Sequence, residues 1–532
     1  MNSVNPQQDN PMNSSSPSAA DSSREAFPAA GKGDASAGPG HSSDASSMHG
    51  VAADSQKQTL RLLVAIASFG EKNLAFLKRI IRNYQDLPMA VEVVVFSDQP
   101  KDLGPDVKVM VGLPTENPWS LPFAHKNYFA RNIDRYDLFI YSEDDMEVTE
   151  RNIRAFLRVT PDLKPEEIAG FLRYEVNESG NTSLPEVHWT SHWKPGSVAR
   201  RGGHTIAEFS NEHAAFYLLT RNQLRRAIAS GGFLREPCEG RYDMLCTVAT
   251  DPYINCGLRK VICVSALEDF LIHHLPNRYA GQLGIPLAAF KEQVQTLIEI
   301  GTGTHPVSNL CETESRLQHG KWSKSYYEKP CNEVLDLVPH DAQTILSVGC
   351  GSGAMENALK QRGARVTVLP LDSVMGAAGA RLGFEVIYGT MEECFNRLGK
   401  RDFDCVLITD LLHLLPNPWQ VLDQCCRFVG NAGTLVIGGP NFQSLRILSK
   451  RVLNVGDYRK LSSFAQSGVR IVAAGQTTRQ LTNAGWNVVA MRSFNRTPPR
   501  RLAALQQRLG RLTAQNWVLA ARRSRLINER VA

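Results

Sequence analysis

Ile345–Gly353 reads ILSVGCGSG, an apolar run followed by three glycines at alternate positions. The run is typical of a buried strand, and Ala354–Arg362 after it has helical spacing. Glycine lets a backbone turn sharply and approach a ligand closely, and a helix N-terminus leaves N–H groups unpaired. The stretch therefore predicts a strand–turn–helix unit that holds a ligand against Gly349, Gly351 and Gly353. A dinucleotide site is the competing interpretation, but its usual spacing is G-x-G-x-x-G.

Strands and helices alternate on both sides of this unit. The later predicted strands are Arg365–Leu369, Glu385–Tyr388, Cys405–Thr409, Thr434–Gly438, Trp486–Met491 and Trp517–Ala521. An earlier series has strands at Leu60–Ala67, Val91–Phe96 and Leu138–Tyr141, and helices at Lys72–Tyr84 and Asn127–Arg135. This alternation favours parallel sheets covered by helices. We therefore predict an α/β protein with two doubly wound domains.

Length and composition set the predicted domain bounds. The 532 residues exceed one ordinary core. Residues 1–57 contain thirteen Ser and a single aromatic residue, Phe27, too little apolar surface to offset the entropy of ordering. We predict a disordered tail at 1–57, domains at 58–300 and 326–523, a linker at 301–325 and a basic tail at 524–532.

Positive charge is concentrated at the C-terminus. The formal net charge is +6, yet Arg492–Ala532 alone holds ten Arg, no Lys and one acidic residue. Such a segment is either a solvated tail or a contact for anionic lipid, a phosphorylated acceptor or nucleic acid. We predict peripheral contact with an anionic membrane and treat nucleic acid as the weaker alternative.

Cysteine usage and hydropathy predict the compartment. The eleven Cys form no CxxC pair, which is typical of a reducing compartment rather than of a disulfide framework or zinc site. No apolar run is long enough to cross a bilayer, and the N-terminus lacks the apolar core of a secretory signal. These features predict a cytoplasmic protein that touches the inner face of the membrane.

Two further stretches add to the glycine-rich unit. Asp372 closes the strand VTVLPLD, where a carboxylate can accept hydrogen bonds from ribose hydroxyls. Phe403–Asn441 reads FDCVLITDLLHLLPNPWQVLDQCCRFVGNAGTLVIGGPN. Together these stretches resemble the class I S-adenosylmethionine (SAM)-dependent methyltransferases, especially the small-molecule type 11 and 12 groups, over Tyr326–Arg523. The matching family positions are Asp410, Pro416, Pro418, Gly433, Pro440 and Asn441.

The resemblance implies a SAM site at the ends of successive strands. The glycines of the turn would line the methionine and ribose portion, and Asp372 would hold the ribose. Thr390 and Met391 would border the adenine, and Asp410 and Leu411 would lie beside the sulfonium. The alternatives are ordinary turn glycines, a surface cap at Asp372 and simple packing at Met391.

Two positions depart from the family. An acidic residue usually stands two residues before the first glycine, where it helps to orient the amino end of the cofactor, but here the residue is Ser347. The family also often has Glu-His after the fourth strand, whereas this chain has His413-Leu414. His413 is the candidate general base for an oxygen nucleophile. The alternative is a structural histidine in a Leu-rich turn.

The first domain has a strand that ends in acids. Tyr136–Met146 reads YDLFIYSEDDM, with Glu143, Asp144 and Asp145 adjacent. Clustered carboxylates repel one another unless a cation joins them, and oxygen ligands suit Mg²⁺ or Mn²⁺, which pair with diphosphates. The motif resembles the acidic metal motif of GT-A glycosyltransferases, which use nucleotide-sugars. That resemblance implies metal ligation by Glu143 and Asp145.

Other segments resemble the same family over residues 61–280. The implied nucleotide-sugar contacts are Ser68, Asp98, Lys126 and Asp144. Leu267–Tyr279, LEDFLIHHLPNRY, contains His273 and His274, either of which would complete the metal site or simply end a strand.

An inverting sugar transfer would also need a base near the acceptor. Glu239, Asp243 and Asp251 lie in a polar stretch where such a base is expected, and Glu239 and Asp243 are retained as candidates. A retaining mechanism would not need a base in that role. A loop rich in aromatic residues contains Trp189, His192 and Trp193. These rings either form a platform for the sugar acceptor or pack inside the domain.

These observations together predict a bifunctional transferase. The first domain would transfer a sugar from a nucleotide-sugar with Mn²⁺ or Mg²⁺, and the second would use SAM to methylate a glycan, a glycolipid or a small molecule. One rival is a methyltransferase whose N-terminal domain only binds glycan. The others are a non-catalytic scaffold with a decayed cofactor site and a nucleic-acid methyltransferase guided by the Arg-rich C-terminus.

Overall fold

Two mainly parallel sheets organise the chain in the computed structural model, which describes residues 59–495 and 512–524. The predicted tail at 1–57 and most of the basic C-terminus lie outside the described residues. Every element below belongs to one unit, Leu60–Ala532. The predicted boundary at 301–325 stays a prediction. No helix in the described ranges combines the length and the hydropathy needed to cross a bilayer.

The N-terminal half contains fourteen strands and six helices between residues 61 and 302. In chain order they are β1 (Arg61–Ser68), α1 (Leu74–Gln85), β2 (Ala90–Ser97), β3 (Val107–Val111), α2 (Ala124–Arg131), β4 (Leu138–Glu143), β5 (Met146–Glu147), α3 (Glu150–Val159), β6 (Glu167–Ala169), β7 (Leu172–Val176), β8 (Thr182–Leu184), β9 (Ala199–Arg201), β10 (His204–Ala207), β11 (Phe216–Thr220), α4 (Arg221–Ala229), α5 (Met244–Ile254), β12 (Arg259–Cys263), β13 (Leu271–His274), β14 (Ile285–Pro286) and α6 (Leu287–Thr302).

The C-terminal half continues the alternation with seven strands and eight helices in its described part. They are α7 (Asn332–Leu335), β15 (Thr344–Cys350), α8 (Ala354–Gln361), β16 (Arg365–Pro370), α9 (Ser373–Arg381), β17 (Glu385–Val386), α10 (Met391–Leu398), β18 (Phe403–Thr409), α11 (Pro418–Arg427), β19 (Val429–Pro440), α12 (Leu445–Val452), α13 (Phe464–Ser467), α14 (Ala474–Asn483), β20 (Trp486–Phe494) and β21 (Asn516–Arg523).

The sheet of the C-terminal half has seven strands in the order β17-β16-β15-β18-β19-β21-β20. The first five are parallel, whereas β21 pairs antiparallel with both β19 and β20. β15 is buried at all but its first residue and lies between β16 and β18, so the direction of strand order reverses there. In open α/β sheets a ligand binds at the carboxyl ends of the strands at such a reversal, which is where the glycine turn follows β15.

The main sheet of the N-terminal half has the order β11-β4-β1-β2-β3. β1 to β4 are parallel and β11 is antiparallel. Here β1 occupies the reversal, between β2 and β4. Register pairs Ala67 with Glu143 and Ser68 with Ser97, so the carboxyl ends of β1 and β4 meet at the acidic motif.

The α/β class is confirmed, and the principal predicted strands are present with bounds moved by a few residues. The GT-A identity of the first half stays a prediction. The predicted helix Asn127–Arg135 was misplaced, because α2 already begins at Ala124 after a 3₁₀ helix at Pro118–Phe123. Two smaller sheets, β6-β12-β10-β9 and β14-β8-β7-β13-β5, were not predicted. Their strands have two to five residues, too few for a readable alternation.

Candidate functional site

The glycine turn between β15 and α8 requires residues without a side chain. Gly349 and Gly353 have φ angles of 84° and 81°, in the left-handed region that other residues rarely occupy. Gly351 has an ordinary φ, but a Cβ there would lie 2.4 Å from the carbonyl oxygen of Tyr326. The predicted strand–turn–helix unit is therefore present, and the Tyr326 backbone approaches it closely; its role in holding a ligand stays a prediction.

Asp372 is the N-cap of α9, two residues after the end of β16. Its Oδ1 accepts a hydrogen bond of 2.8 Å from the Met375 N–H, while Oδ2 is buried and has no hydrogen-bond partner. The side chain therefore caps α9. It is not a cap at the protein surface, because Asp372 is only 1% exposed. Burial raises the pKa of Asp372 to about 7. A buried carboxylate oxygen without a donor fits a ligand that brings hydroxyl groups, as a ribose does.

The other predicted cofactor residues lie on the neighbouring loops. Thr390 caps α10 in a capping box with Glu393, and the Met391 N–H donates to the Leu310 carbonyl at 3.1 Å. Asp410 has a φ of 50° just beyond β18. Leu411 is fully buried and packs on the turn, since a Cβ on Gly349 would lie 2.8 Å from its Cδ2.

Residues 308–326, which we call the covering segment, run across this edge of the sheet. The Leu310 N–H donates to the Leu371 carbonyl at 2.9 Å, and the Ser352 N–H donates to the Tyr326 carbonyl at 2.7 Å. Lys324, which is 2% exposed, donates from Nζ to the Thr409 carbonyl at 2.9 Å. The sequence predicted most of this stretch as linker because it has no period, so its part in the site was missed.

The covering segment also contacts the N-terminal half. The Tyr326 ring stacks on His192 with centroids 4.2 Å apart and planes 2° apart, and its N–H donates to the Trp189 carbonyl at 2.6 Å. Two members of the predicted acceptor platform therefore lie next to the glycine turn of the other half. For Trp193 the structure favours the packing alternative, because that ring is 1% exposed and packs against Phe290.

His413 is buried beneath the covering segment. Its Nε2 is 2.7 Å from the Trp322 carbonyl oxygen, so this nitrogen must carry the proton and donate. Burial lowers the pKa of His413 to about 4. The geometry favours the structural alternative, and the role of general base stays a prediction.

The acidic motif of the N-terminal half is buried as well. Burial and the charge of Asp145 raise the pKa of Glu143 to about 8, and burial raises that of Asp144 to about 6. The Asn73 amide donates to Asp144 at 2.7 Å and to Asp145 at 3.2 Å. These carboxyls therefore lie together at the carboxyl ends of β1 and β4.

The late histidines reach the same place because β13 pairs with β5. His274 Nε2 lies 3.4 Å from Asp145 Oδ2, and His273 Nδ1 lies 3.7 Å from Glu147 Oε2. Burial lowers the pKa of His274, but hydrogen bonds to Asp145 and Glu175 outweigh it and raise the value to about 9. The protonated imidazole lies between Asp145 and Glu175. In the described ranges no three His, Cys, Asp or Glu side chains are arranged to hold a metal, so the Mn²⁺ or Mg²⁺ site stays a prediction.

The remaining candidates of this half have other partners. Ser68 is buried at the end of β1, and Asp98 accepts from the Gly70 N–H at 2.8 Å. Lys126 is buried and donates to Asp251, which corrects its assignment as a free nucleotide contact and removes Asp251 as a base. Asp243 caps α5 by accepting from the Cys246 N–H at 2.8 Å, whereas Glu239 is exposed.

Comparison with known proteins bears on the C-terminal half. Residues 346–437 match the family model described as a methyltransferase domain. The ubiquinone biosynthesis O-methyltransferase of Azoarcus sp. (strain BH72) is 25% identical over 227 residues, 39% of this chain and 94% of that protein. The protein of the same name from Chromobacterium violaceum is 25% identical over 241 residues, 41% of this chain and 100% of that protein. A solved SAM-dependent methyltransferase from Archaeoglobus fulgidus is similar over 36% of this chain and 90% of its own, with 17% identity and a TM-score of 0.28. By the family match, the C-terminal half contains a methyltransferase domain.

Proposed function

We propose that the domain around residues 346–437 transfers a methyl group from SAM to a hydroxyl group of a small molecule or glycan. The observation that carries the cofactor proposal is Asp372, whose buried Oδ2 has no hydrogen-bond partner and which follows the strand paired with β15, the strand that leads into the Gly349–Gly353 turn. The hydroxyl acceptor is supported by two relatives of almost full coverage, both named as O-methyltransferases.

The chain's contribution to this reaction is positioning. SAM supplies an activated methyl group, so transfer is an in-line displacement that depends on alignment. Asp372 would accept hydrogen bonds from the ribose hydroxyls, the Gly349–Gly353 turn would lie against the cofactor, and the fully buried Leu411 would give the site an apolar wall. The covering segment, fixed to Leu371, Ser352 and Thr409 by hydrogen bonds, keeps water from that edge of the sheet.

Calorimetric titration of the full chain with S-adenosylhomocysteine (SAH), the demethylated product, tests the cofactor site. We expect saturable binding that is weakened by Asp372→Ala and unchanged by Asp402→Asn, an exposed carboxylate before β18. A flat titration of the folded wild type would instead support the scaffold interpretation. Incubation with SAM and phenolic or glycan hydroxyl acceptors, followed by mass analysis, then identifies the acceptor class.

Glycosyl transfer by the N-terminal half is the second candidate function. It is supported by the meeting of Asp144, Asp145 and His274 at the carboxyl ends of β1 and β4, and by the buried Asp145 Oδ1, which has no hydrogen-bond partner. Sugar nucleotides are supplied with Mn²⁺, with and without SAM, and products are analysed by mass. Loss of sugar transfer in Asp145→Asn, with SAH binding retained, supports two activities. If the wild type transfers no sugar from any donor, the N-terminal half has a non-catalytic role such as glycan binding.

We also propose that the Arg-rich C-terminus holds the protein at an anionic membrane in the cytoplasm. The support is the ten Arg and one acidic residue from Arg492 to Ala532. We expect the protein to cosediment with anionic vesicles and not with neutral ones. High salt should abolish this binding.

A further inference from the structure

Glu356 is a buried acid next to the glycine turn that the sequence did not single out. It lies in the first turn of α8, three residues after Gly353, and is 6% exposed. Its Oε1 accepts a hydrogen bond of 2.6 Å from the Ser347 hydroxyl. The carboxylate therefore reaches back across the turn to the middle of β15.

The hydrogen-bond partners of Glu356 are neutral. They are the Ser347 hydroxyl and the Cys350 thiol, whose pKa is raised far above its usual range by burial and then by Glu356 itself. Lys324, whose charge also acts on that thiol, donates instead to Glu328 at 3.0 Å and to the Thr409 carbonyl at 2.9 Å. In the described part of the chain, no basic side chain forms an ion pair with Glu356.

A carboxylate held among neutral groups in a buried site is poorly compensated. A ligand that brings a cation to this position gains a charge-assisted hydrogen bond. SAM and SAH both carry a primary ammonium group at the amino-acid end. Hydroxyl donors of the ribose suit Asp372 on the next strand, so the two acids divide the ligand between them.

We propose that Glu356, oriented by Ser347, binds the amino group of the cofactor. The inference rests on the proposed SAM site and adds a second cofactor contact to it. Loss of that contact is expected to weaken SAH binding by about 10- to 100-fold, the range for a hydrogen bond to a charged group. Methylthioadenosine has the same adenosine and sulfur but lacks the amino-acid end, so its binding should change by less than about twofold, since no Glu356 contact is lost.

The test is calorimetry of the full chain with SAH and with methylthioadenosine. The variants are Glu356→Gln, Ser347→Ala and the double variant Ser347→Asp/Glu356→Gln, with Asp402→Asn as a control for loss of one carboxylate. Glu356→Gln should lose affinity for SAH alone. Ser347→Ala should also lose affinity for SAH but not for methylthioadenosine, and its loss should be smaller than that of Glu356→Gln. The double variant should recover SAH binding, because it returns a carboxylate to the same space from the strand.

The outcomes separate this inference from the proposed function. If the wild type binds neither compound, the SAM site itself is wrong, and so is this inference. If the wild type binds both and Glu356→Gln weakens both equally, or weakens neither, Glu356 only supports the turn and the inference is overturned. If Glu356→Gln does not fold, Ser347→Ala provides the same comparison, and an unchanged ratio of the two affinities overturns the inference.

Discussion

Substitution of Asp372 by asparagine should make the protein without ligand more stable and the cofactor complex weaker. Asparagine is also a good N-cap, so the bond from the Met375 N–H is retained while the charge is removed. Burial raises the pKa of Asp372 from 3.8 to about 7. The folded state therefore binds this proton more tightly than the unfolded state, and its stability falls as pH rises from about 4 through 7. At pH 8 the full cost is about 4 kcal/mol for this residue, and Asp372→Asn should recover part of it.

Cofactor binding should show the opposite pH dependence. The ribose donors favour the ionised carboxylate, so binding lowers the pKa of Asp372 and releases a proton near neutral pH. Between pH 8 and pH 6 the ionised fraction of a group of pKa about 7 falls about tenfold, which weakens SAH binding by about 1.4 kcal/mol. Asp372→Asn should bind SAH more weakly than the wild type at pH 8, and with no such pH dependence.

Two measurements check this reasoning. Urea unfolding of the ligand-free proteins at pH 5 and pH 8 gives the stability difference, and calorimetry in buffers of different ionisation enthalpy counts the protons released with SAH. If Asp372→Asn binds SAH as tightly as the wild type, or keeps the same proton release, the carboxylate does not contact the ligand. If Asp372→Asn is less stable than the wild type at pH 8, the charge of Asp372 is compensated in the folded wild type by groups other than those described.

The remaining predictions concern buried groups around both sites. The pKa of His413 is lowered to about 4, so the free energy of unfolding decreases as pH drops below about 6.5. Between pH 7 and pH 5 this residue costs about 2 kcal/mol of stability. His413→Gln should remove that loss, as measured by urea unfolding at the two pH values. Lys126→Met should cost about 3–5 kcal/mol by leaving Asp251 unpaired, and Lys126→Met/Asp251→Leu should cost less; equal losses in chemical denaturation would contradict the buried pair. Gly351→Ala places a Cβ 2.4 Å from the Tyr326 carbonyl oxygen and should therefore displace the covering segment. We expect the free energy of unfolding to fall by about 1–3 kcal/mol and SAH binding, measured by calorimetry, to weaken.

The sequence predicted the parts of the fold that have long, strongly patterned segments. β15, β18 and β19 are strands of seven or more residues, most of them buried, and the turn after β15 has glycine at alternate positions. Asp372 followed from its place at the end of a strand. These features are local, so the sequence alone was enough to place them.

The parts that were missed depend on contacts between distant segments. Glu356 meets Ser347 only because the turn reverses the chain, so that a residue nine positions later lies against the strand. The covering segment has neither period nor motif, and its role follows from hydrogen bonds to distant loops, such as that from Lys324 to the Thr409 carbonyl, 85 residues further along the chain. Lys126 was assigned to a nucleotide from its position before β4, but its partner Asp251 is 125 residues further along the chain.

The contacts of Tyr326 bear on how this enzyme can be engineered. One apolar cluster contains Trp193 and Phe290 from the first half together with Leu346 and Leu411 from the second, and Tyr326 joins them through His192. A fragment cut within the predicted linker at 301–325 would expose this shared surface and lose the aromatic support of its glycine turn. The two halves are therefore not interchangeable modules on a tether, and a chimera with a foreign N-terminal partner would need to rebuild that junction before its methyl-transfer chemistry could be compared with that of the parent.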